Sequence, residues 1–276
     1  MAFFQIIVVS YQPGDKLAAT LSSILSQTEG SFSVIVKDAG STDGSVEAAR
    51  AAFPDARIRW IRSDDSGIYD GMNQALADLP EGEKSLVYFL NCGDLLYDSH
   101  VLARVKEKIL ADKEQADVAT RPGIWYGDIV ERRTGQRVAA NPRIDAFACF
   151  RNVPNHQTCF YDAELMREER FDTKWRVRAD YEHFLRCFFR KGVRPIPLNM
   201  VICDYEGGGF SESPEGMKIS RQEHREITEI YYSRAQILRY RLYLALSLQP
   251  LRKMLSESRL TAGFYHRIRD AILRRR

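Results

Sequence analysis

Apolar residues follow two periods along this chain, and the N-terminal part switches between them repeatedly. Gln5-Ile-Ile-Val-Val9 is a continuous β-branched run, the pattern of a strand buried on both faces. Beyond Pro13 and Gly14, Leu17, Leu21, Ile24 and Leu25 recur at helical spacing. Phe32-Ser-Val-Ile-Val36 predicts a second strand, ending at Lys37 and Asp38. Gly40-Ser-Thr-Asp-Gly44 then turns the chain into a helix reaching Phe53, with Ser41 or Thr42 as its cap. Arg57 to Ile61 predicts a third strand, and Leu86-Val-Tyr-Phe-Leu90 a fourth. Between them Ile68, Met72, Ala75, Leu76 and Leu79 mark a helix. This alternation predicts a parallel α/β sheet that binds ligands beyond the C-terminal ends of its strands. Polar residues gather at those ends: Ser10 and Tyr11, Asp38, Asp64 and Asp65, Asn91 and Asp94.

The second half is less regular. Ile124 to Glu131 and Val193 to Cys203 read as strands, Arg178 to Lys191 as a helix with Phe184, Leu185 and Phe188 on one side. Gly207-Gly-Gly209 reads as a loop, and the pattern is helical from Pro214, interrupted near Pro250. The domain reading is one domain over 1–213, with halves of about 1–98 and about 99–213, followed by a basic helical extension over 214–276. No internal repeat or low-complexity tract is present.

Composition narrows this picture in three places. With 276 residues, 45% of them apolar, the chain has material for a sizeable core, yet no run reaches the roughly 18 apolar residues of a spanning helix. Met1 to Tyr11 has neither a basic n-region nor a small-residue cleavage site and reads as a strand, not a signal peptide. Five scattered cysteines without a C-x-x-C pair read as reduced thiols, which removes zinc cages and disulfide frameworks. The net charge of +3 hides an asymmetry: thirteen Lys/Arg against five Asp/Glu between Arg221 and Arg276, so that the preceding residues sum to −5.

Three constellations carry candidate chemistry. Asp38 at a strand end before the Gly40–Gly44 turn suits a nucleotide edge, where a carboxylate accepts from a base N–H; the alternative is an Asx-turn with a helix cap. Asp94 in Asn91-Cys-Gly-Asp94 can hold Mg²⁺ or Mn²⁺ with phosphate oxygens completing the shell, or serve as an exposed cap. Asp180 in Ala179-Asp-Tyr-Glu182 opens a helix, where the dipole favours its ionised form; it reads as a general base or as a capping carboxylate.

Order and spacing of the motifs then identify a resemblance. Ile7-Val-Val-Ser-Tyr11, Leu21-Ser-Ser-Ile-Leu-Ser-Gln27, Val34 to Gly44, Asp65-Ser-Gly-Ile-Tyr-Asp-Gly-Met-Asn73 and Phe89-Leu-Asn-Cys-Gly-Asp94 resemble, in order, motifs of the family 2 glycosyltransferases of the GT-A fold, in the branch of bacterial surface-polysaccharide synthesis. The likeness continues through Asn155-His-Gln157, Ala179-Asp-Tyr181 and Gly208-Gly-Phe-Ser211. It implies a mainly parallel central sheet flanked by helices, and a metal-dependent, inverting transferase that moves a sugar from a nucleoside diphosphate, UDP the expected one, to an acceptor hydroxyl. Ser10, Tyr11 and Asp38 would hold the nucleoside, and Asp65, Asn73 and Asn91 would border the nucleotide sugar. Asp94 falls at the last place of the Asp-x-Asp metal motif and Asp180 at the catalytic base. His156 and Gln157, with Gly208 and Gly209 in a closing loop, would belong to the acceptor side or lid. Two departures stand out: Asn91 replaces the first acid of the metal motif, and Ala179 stands where a Glu often precedes the base. The resemblance further implies a lipid-linked or saccharide acceptor and a cytoplasmic location.

Two other readings compete. A sugar-1-phosphate nucleotidyltransferase needs a glycine-rich basic loop near the first strand, which Ser10-Tyr-Gln-Pro-Gly14 does not offer. A silent scaffold docked by its basic tail would not need Asp38, Asp94 and Asp180. In that tail Ile237, Leu238, Leu242, Leu244, Ala245 and Leu248 alternate with Arg234, Arg239 and Arg241, and Phe264, Tyr265, Ile268 and Ile272 with Arg267 and Arg269. Such helices fit an anionic membrane interface on the cytoplasmic face, with no sign of a nucleic-acid motif.

Overall fold

A computed structural model describes residues 2–80, 85–115 and 122–246. In chain order the first half runs β1 (Phe4–Ser10), α1 (Lys16–Leu25), β2 (Phe32–Asp38), α2 (Ser45–Ala52), β3 (Ile58–Arg62), α3 (Ile68–Leu76) and β4 (Leu86–Phe89). The second half follows with β5 (Leu95–Leu96), α4 (Val101–Gln115), β6 (Gly123–Glu131), β7 (Gln136–Val138), α5 (Ala146–Arg151) and β8 (Cys159–Asp162). Then come α6 (Ala163–Glu168), α7 (Ala179–Arg190), β9 (Arg194–Tyr205), α8 (Pro214–Tyr231) and α9 (Arg234–Leu246). Short 3₁₀ turns span His156–Thr158 and Phe210–Glu212.

The strands form one sheet in the order β3-β2-β1-β4-β8-β6-β9-β5, with β7 paired to β6. Every pairing among β1 to β4 is parallel, as the intervening helices require; β1, β2 and β4 are apolar runs, while β3, at the sheet edge, carries Arg59 and Arg62. Registers Ser10↔Asp38 and Asp38↔Arg62 align the strand ends, so the polar residues after each apolar run share one edge. The core below that edge is built from Phe4, Ile6 and Val8 of β1, Val34 and Val36 of β2, Leu17, Leu21 and Ile24 of α1, and Tyr88 of β4. Burying such side chains contributes about 1.5–3 kcal/mol each.

Beyond β4 the sheet becomes mixed, because β8 inserts antiparallel to both β4 and β6. Stacking of Tyr88 on Phe160, with centroids 4.5 Å apart, seats β8 there. β9 carries Pro195 and Pro197 where β6 is its partner, and reaches β5 only at Cys203 and Asp204. A strand length without a second neighbour tolerates residues that cannot donate to a ladder.

The expected Ser41 or Thr42 cap is corrected here. The N-cap of α2 is Gly44, in a left-handed conformation with φ of 75° and no side-chain cap. That entry angle suits glycine, and the Ser41 hydroxyl is directed instead at Asp38.

Internal contacts divide the chain into two units, Met1–Arg225 and Glu226–Arg276. In the second unit, Leu238, Leu242 and Leu246 of α9 are exposed four residues apart, a stripe along one helix face. No described helix is long and apolar enough to cross a membrane. The aromatic and basic positions beyond residue 246, including Leu248 and Phe264 to Ile272, lie outside the described residues.

Candidate active site

A polar edge forms where β1, β2 and β3 end. Asp38 is buried; its carboxylate accepts the Ser41 N–H at 2.9 Å and the Ser41 hydroxyl, and lies 3.5 Å from Ser10 Oγ and 3.7 Å from Arg62 Nε. The Asx-turn and the edge position thus coexist in one residue. Ser41 Oγ accepts from Gln12 N at 2.8 Å, tying the loop after β1 to that after β2. Tyr11 stands beside it with its ring 67% exposed.

Next to this edge is an ion pair that the sequence motifs do not advertise. Lys37 is fully buried, and its ammonium donates to Ser63 O at 2.7 Å and to the Asp65 carboxylate. Asp65 Oδ1 accepts from Gly67 N at 3.1 Å, and a Cβ on Gly71 would come within 2.9 Å of Asp65 Oδ2, so glycine there makes room for the pair. Asn73 is directed away from the strand ends. Its amide clasps Phe171, donating to the carbonyl at 2.8 Å and accepting the N–H at 3.0 Å. Through that clasp α3 positions the segment that enters α7.

The turn after β4 carries Asn91 to Asp94. Asp94 is buried; Oδ1 accepts from Glu206 N at 2.8 Å and Oδ2 from Gln157 Nε2 at 3.2 Å. Burial pushes its carboxyl above the ordinary range, only partly offset by the Glu206 N–H, the His156 charge and Gln157. Gly93 has φ of 104°, and a Cβ there would overlap the Glu206 carboxylate. That carboxylate in turn pairs with Lys16 at 2.9 Å. Arg132 Nη1 donates to Gly93 O at 3.0 Å, adding a cation beside the turn.

Asp180, in the first turn of α7, is the second carboxylate of the site. Oδ1 lies 3.0 Å from Tyr69 Oη and accepts the Tyr181 N–H at 2.8 Å; Oδ2 lies 3.3 Å from His156 Nδ1. Its side chain remains 23% exposed. Burial raises its carboxyl, but the hydrogen bond and charge of His156, with Arg178 and the Tyr181 N–H, outweigh this and leave it below the ordinary carboxylate range. Tyr69 moves the opposite way: burial and the Asp180 charge push its phenol well up, so it stays a neutral donor. The N-cap residue Arg178 makes no side-chain cap. Glu223 of α8 accepts the N–H groups of Arg176, Val177 and Arg178 at 2.7, 3.0 and 2.8 Å, fixing the turn that leads into α7.

His156 and Gln157 join the two carboxylates, one residue reaching Asp180 and the next reaching Asp94. Gly208 and Gly209 lie in an exposed loop, where Gly208 N donates to Glu212 at 2.8 Å. The thiols are chemically quiet, burial pushing Cys92, Cys149, Cys159 and Cys187 up to about 12.

Two features bear on a divalent cation. Among the described residues no group of three or more His, Cys, Asp and Glu forms a protein cage. Yet Asp94 is a buried carboxylate whose direct side-chain and backbone partners are neutral, and Asn91 Oδ1, three residues earlier, is buried without a hydrogen-bond partner. One carboxylate plus one orphaned amide oxygen suits a hard cation that draws its remaining ligands from phosphates.

The sequence profile of the family described as "Glycosyl transferase family 2" matches residues 5–194. The chain belongs to this family. A "PGL/p-HBAD biosynthesis glycosyltransferase" of Mycobacterium bovis (strain BCG / Pasteur 1173P2) is 32% identical over 214 residues, 76% of this chain and 79% of the relative. An "Uncharacterized glycosyltransferase Rv1514c" of Mycobacterium tuberculosis is 25% identical over 215 residues, 76% and 77% of the two chains. Among solved structures, S. aureus TarS 1-349 in complex with UDP-GlcNAc superposes with a TM-score of 0.60 at 17% identity, covering 94% of this chain and 74% of that one. Mannosyltransferase PcManGT from Pyrobaculum calidifontis, in complex with GDP-Man and Mn²⁺, gives 0.58 at 18% identity, covering 98% and 80%. The fold is that of the GT-A glycosyltransferases, and the family activity is glycosyl transfer from nucleotide sugars.

Proposed function

We propose that this glycosyltransferase moves a sugar from UDP to an acceptor hydroxyl with inversion at the anomeric carbon, in the synthesis of bacterial surface polysaccharide or glycolipid. One observation carries the reading: consecutive residues His156 and Gln157 hold two carboxylates of opposite character, Asp180 lowered and Asp94 raised. Two carboxylates whose environments push them apart have separate tasks.

Asp180 is the base. Oδ1 already takes two donors while Oδ2 takes one, so Oδ2 is the oxygen that accepts the acceptor's proton. As that proton leaves, the acceptor oxygen bonds to the anomeric carbon, and the bond to the diphosphate oxygen breaks with its electron pair on the leaving group. Tyr69 and His156 orient the carboxylate, Glu223 anchors the helix start beneath it, and Ser10, Tyr11 and Asp38 take the nucleoside at the strand ends. Mn²⁺ or Mg²⁺, when held by Asp94 and Asn91 Oδ1 with diphosphate oxygens, supplies charge neutralisation for the departing nucleotide. UDP-GlcNAc and GDP-Man with Mn²⁺, bound in structures of the same fold, support a nucleotide sugar and a divalent ion here. The exposed leucine stripe of α9 supports peripheral attachment to a membrane where a lipid-linked acceptor would reside.

The deciding assay is release of nucleoside diphosphate from UDP-GlcNAc, UDP-glucose and GDP-mannose with Mn²⁺ and with EDTA. Mn²⁺-dependent release from a UDP-sugar is expected; release from none of the three would refute the reading.

A further inference from the structure

The turn after β4 carries an anion over its bare backbone. Gly93 has no side chain, and the Glu206 carboxylate lies where its Cβ would be. Lys16 Cδ passes 3.5 Å from the same point. Glu206 follows directly on β9, and its N–H donates to Asp94 Oδ1 at 2.8 Å, so its backbone is tied to the turn that its side chain covers. Lys16, the first residue of α1, pairs with that carboxylate at 2.9 Å.

The two cations at this turn differ in how firmly they are held. Arg132 donates from Nε to Asp204 Oδ1 at 3.1 Å, from Nη1 to Gly93 O at 3.0 Å and from Nη2 to Asp204 O at 3.2 Å. Lys16 makes one ion pair among the described residues, to Glu206, and the side chains of that pair are 55% and 32% exposed. Water screens such a pair and competes for both charges, so it contributes little and its partners exchange readily.

Diphosphate oxygens that share a cation with Asp94 and Asn91 Oδ1 come to this same turn. They cannot lie over Gly93 together with the Glu206 carboxylate, because like charges at contact repel. A diphosphate brings more negative charge than one carboxylate, and a lysine ammonium meets phosphate as a mobile point charge. We propose that Lys16 binds the diphosphate of the donor: Glu206 holds its ammonium in competition with the nucleotide and gives it up when the nucleotide binds. The carboxylate rotates away about its own side-chain bonds while the Glu206 N–H stays on Asp94. As the bond to the anomeric carbon breaks, the ammonium balances the charge that gathers on the leaving phosphate. This rests on the reading of the chain as a glycosyltransferase and names the protein cation that its leaving group meets, with Glu206 as an internal competitor.

UDP and GDP, each beside its monophosphate, are titrated by calorimetry against the full chain in Mg²⁺, with melting temperatures to show that every variant is folded. Lys16→Gln should weaken binding of the preferred diphosphate by roughly tenfold, the loss of one hydrogen bond between charged groups, and Lys16→Arg should keep most of the affinity. Monophosphate binding should stay as in the wild type. Glu206→Gln removes the competitor and should tighten diphosphate binding severalfold, a gain that shrinks when Lys16 is already Gln. Opposite signs for the two partners separate competition from mere support, which would weaken binding in both variants. Unchanged diphosphate affinity in Lys16→Gln, unchanged or lower affinity in Glu206→Gln, or a monophosphate loss equal to the diphosphate loss overturns the proposal while leaving glycosyl transfer in place. A wild type that binds neither UDP nor GDP would sink that reading and the proposal together.

Discussion

Asn91 Nδ2 lies 2.9 Å from His156 Nε2, so a side-chain amide holds the ring that faces Asp180. The opposite ring nitrogen, Nδ1, lies 3.3 Å from Asp180 Oδ2, so the same ring spans from the amide to the carboxylate. The residue at position 91 thereby joins the turn that carries Asp94 to the helix start that carries Asp180. An acid at 91 would offer no such donor.

Replacing Asp180 by Asn should lower transfer by about 10²–10⁴-fold while sparing nucleotide binding, since a general base acts on the acceptor. His156→Ala removes one hydrogen bond to a charged group and should lower kcat by roughly 10–100-fold with little change in donor KM. The pH profile separates support from mere scaffolding. His156 is the foremost influence lowering the Asp180 carboxyl against burial, so its removal should shift the acid limb of kcat/KM to higher pH. An acid limb that stays in place would remove His156 from the base's environment.

Asp94→Asn keeps the side chain's shape and relieves a buried carboxylate that burial already disfavours. UDP release should lose its response to Mn²⁺ while the melting temperature stays within a few degrees of wild type, about 1 kcal/mol for a domain of this size. A wild-type Mn²⁺ titration in the variant would take the cation away from this turn.

Breaking the Lys37–Asp65 pair should be felt as stability first. Lys37→Met leaves a half-buried carboxylate without its cation and should cost about 3–5 kcal/mol by urea denaturation. The double variant Lys37→Met/Asp65→Asn should recover a large part of that loss. If it recovers none, the pair is not the source of the cost.

His183 gives the protein an acid-sensitive core. It is fully buried in α7, with Nε2 2.8 Å from Glu169 O, and burial pushes its imidazole down to about 4. Its folded value lies below the unfolded one near 6.5, so the unfolded chain binds the extra proton first. The neutral ring's contribution is complete above about pH 6.5 and is lost as pH falls toward 4, on the order of 3 kcal/mol. Unfolding free energies from pH 7.5 to 4.5 should show this slope, and His183→Gln should flatten it.

Liposome co-sedimentation tests α9. The full chain should bind anionic vesicles at low salt, release at high salt, and lose binding when cut near Glu229. Equal sedimentation of both forms would leave the Leu238–Leu242–Leu246 stripe a packing surface.

β1, β2 and β4 were legible because each is an apolar run closed by a turn, and because parallel pairing needs the intervening helices. α4 was missed although Val101, Leu102, Val105 and Ile109 are all buried at helical spacing, a signal present in the sequence. β8 had no such signal: four residues after a 3₁₀ turn are too short to show a period, and only the stack on Tyr88 places them. Asp94 and Asp180 were legible from their strand-end and helix-start positions, but their surroundings were not. Tyr69 lay unassigned inside a motif already noticed, while Glu206 and Glu223 act from segments more than a hundred and more than forty residues distant from the groups they hold. No local pattern encodes such contacts. Asn73 lies in the same motif as Tyr69, yet its bonds run to Phe171, so spacing located it without revealing what it grips.

The grip of Gln157 and Glu206 on Asp94 also bears on the order in which the enzyme comes into being. Once residue 98 has left the ribosome, every parallel strand of the nucleotide edge has been made, but neither partner of the Asp94 carboxylate exists yet. The bond from Glu206 spans 112 positions, and such distant closures form late. A nascent chain therefore has its parallel strand ends in place long before both partners of Asp94 exist, and the turn after β4 is completed only when β9 has been threaded into the sheet.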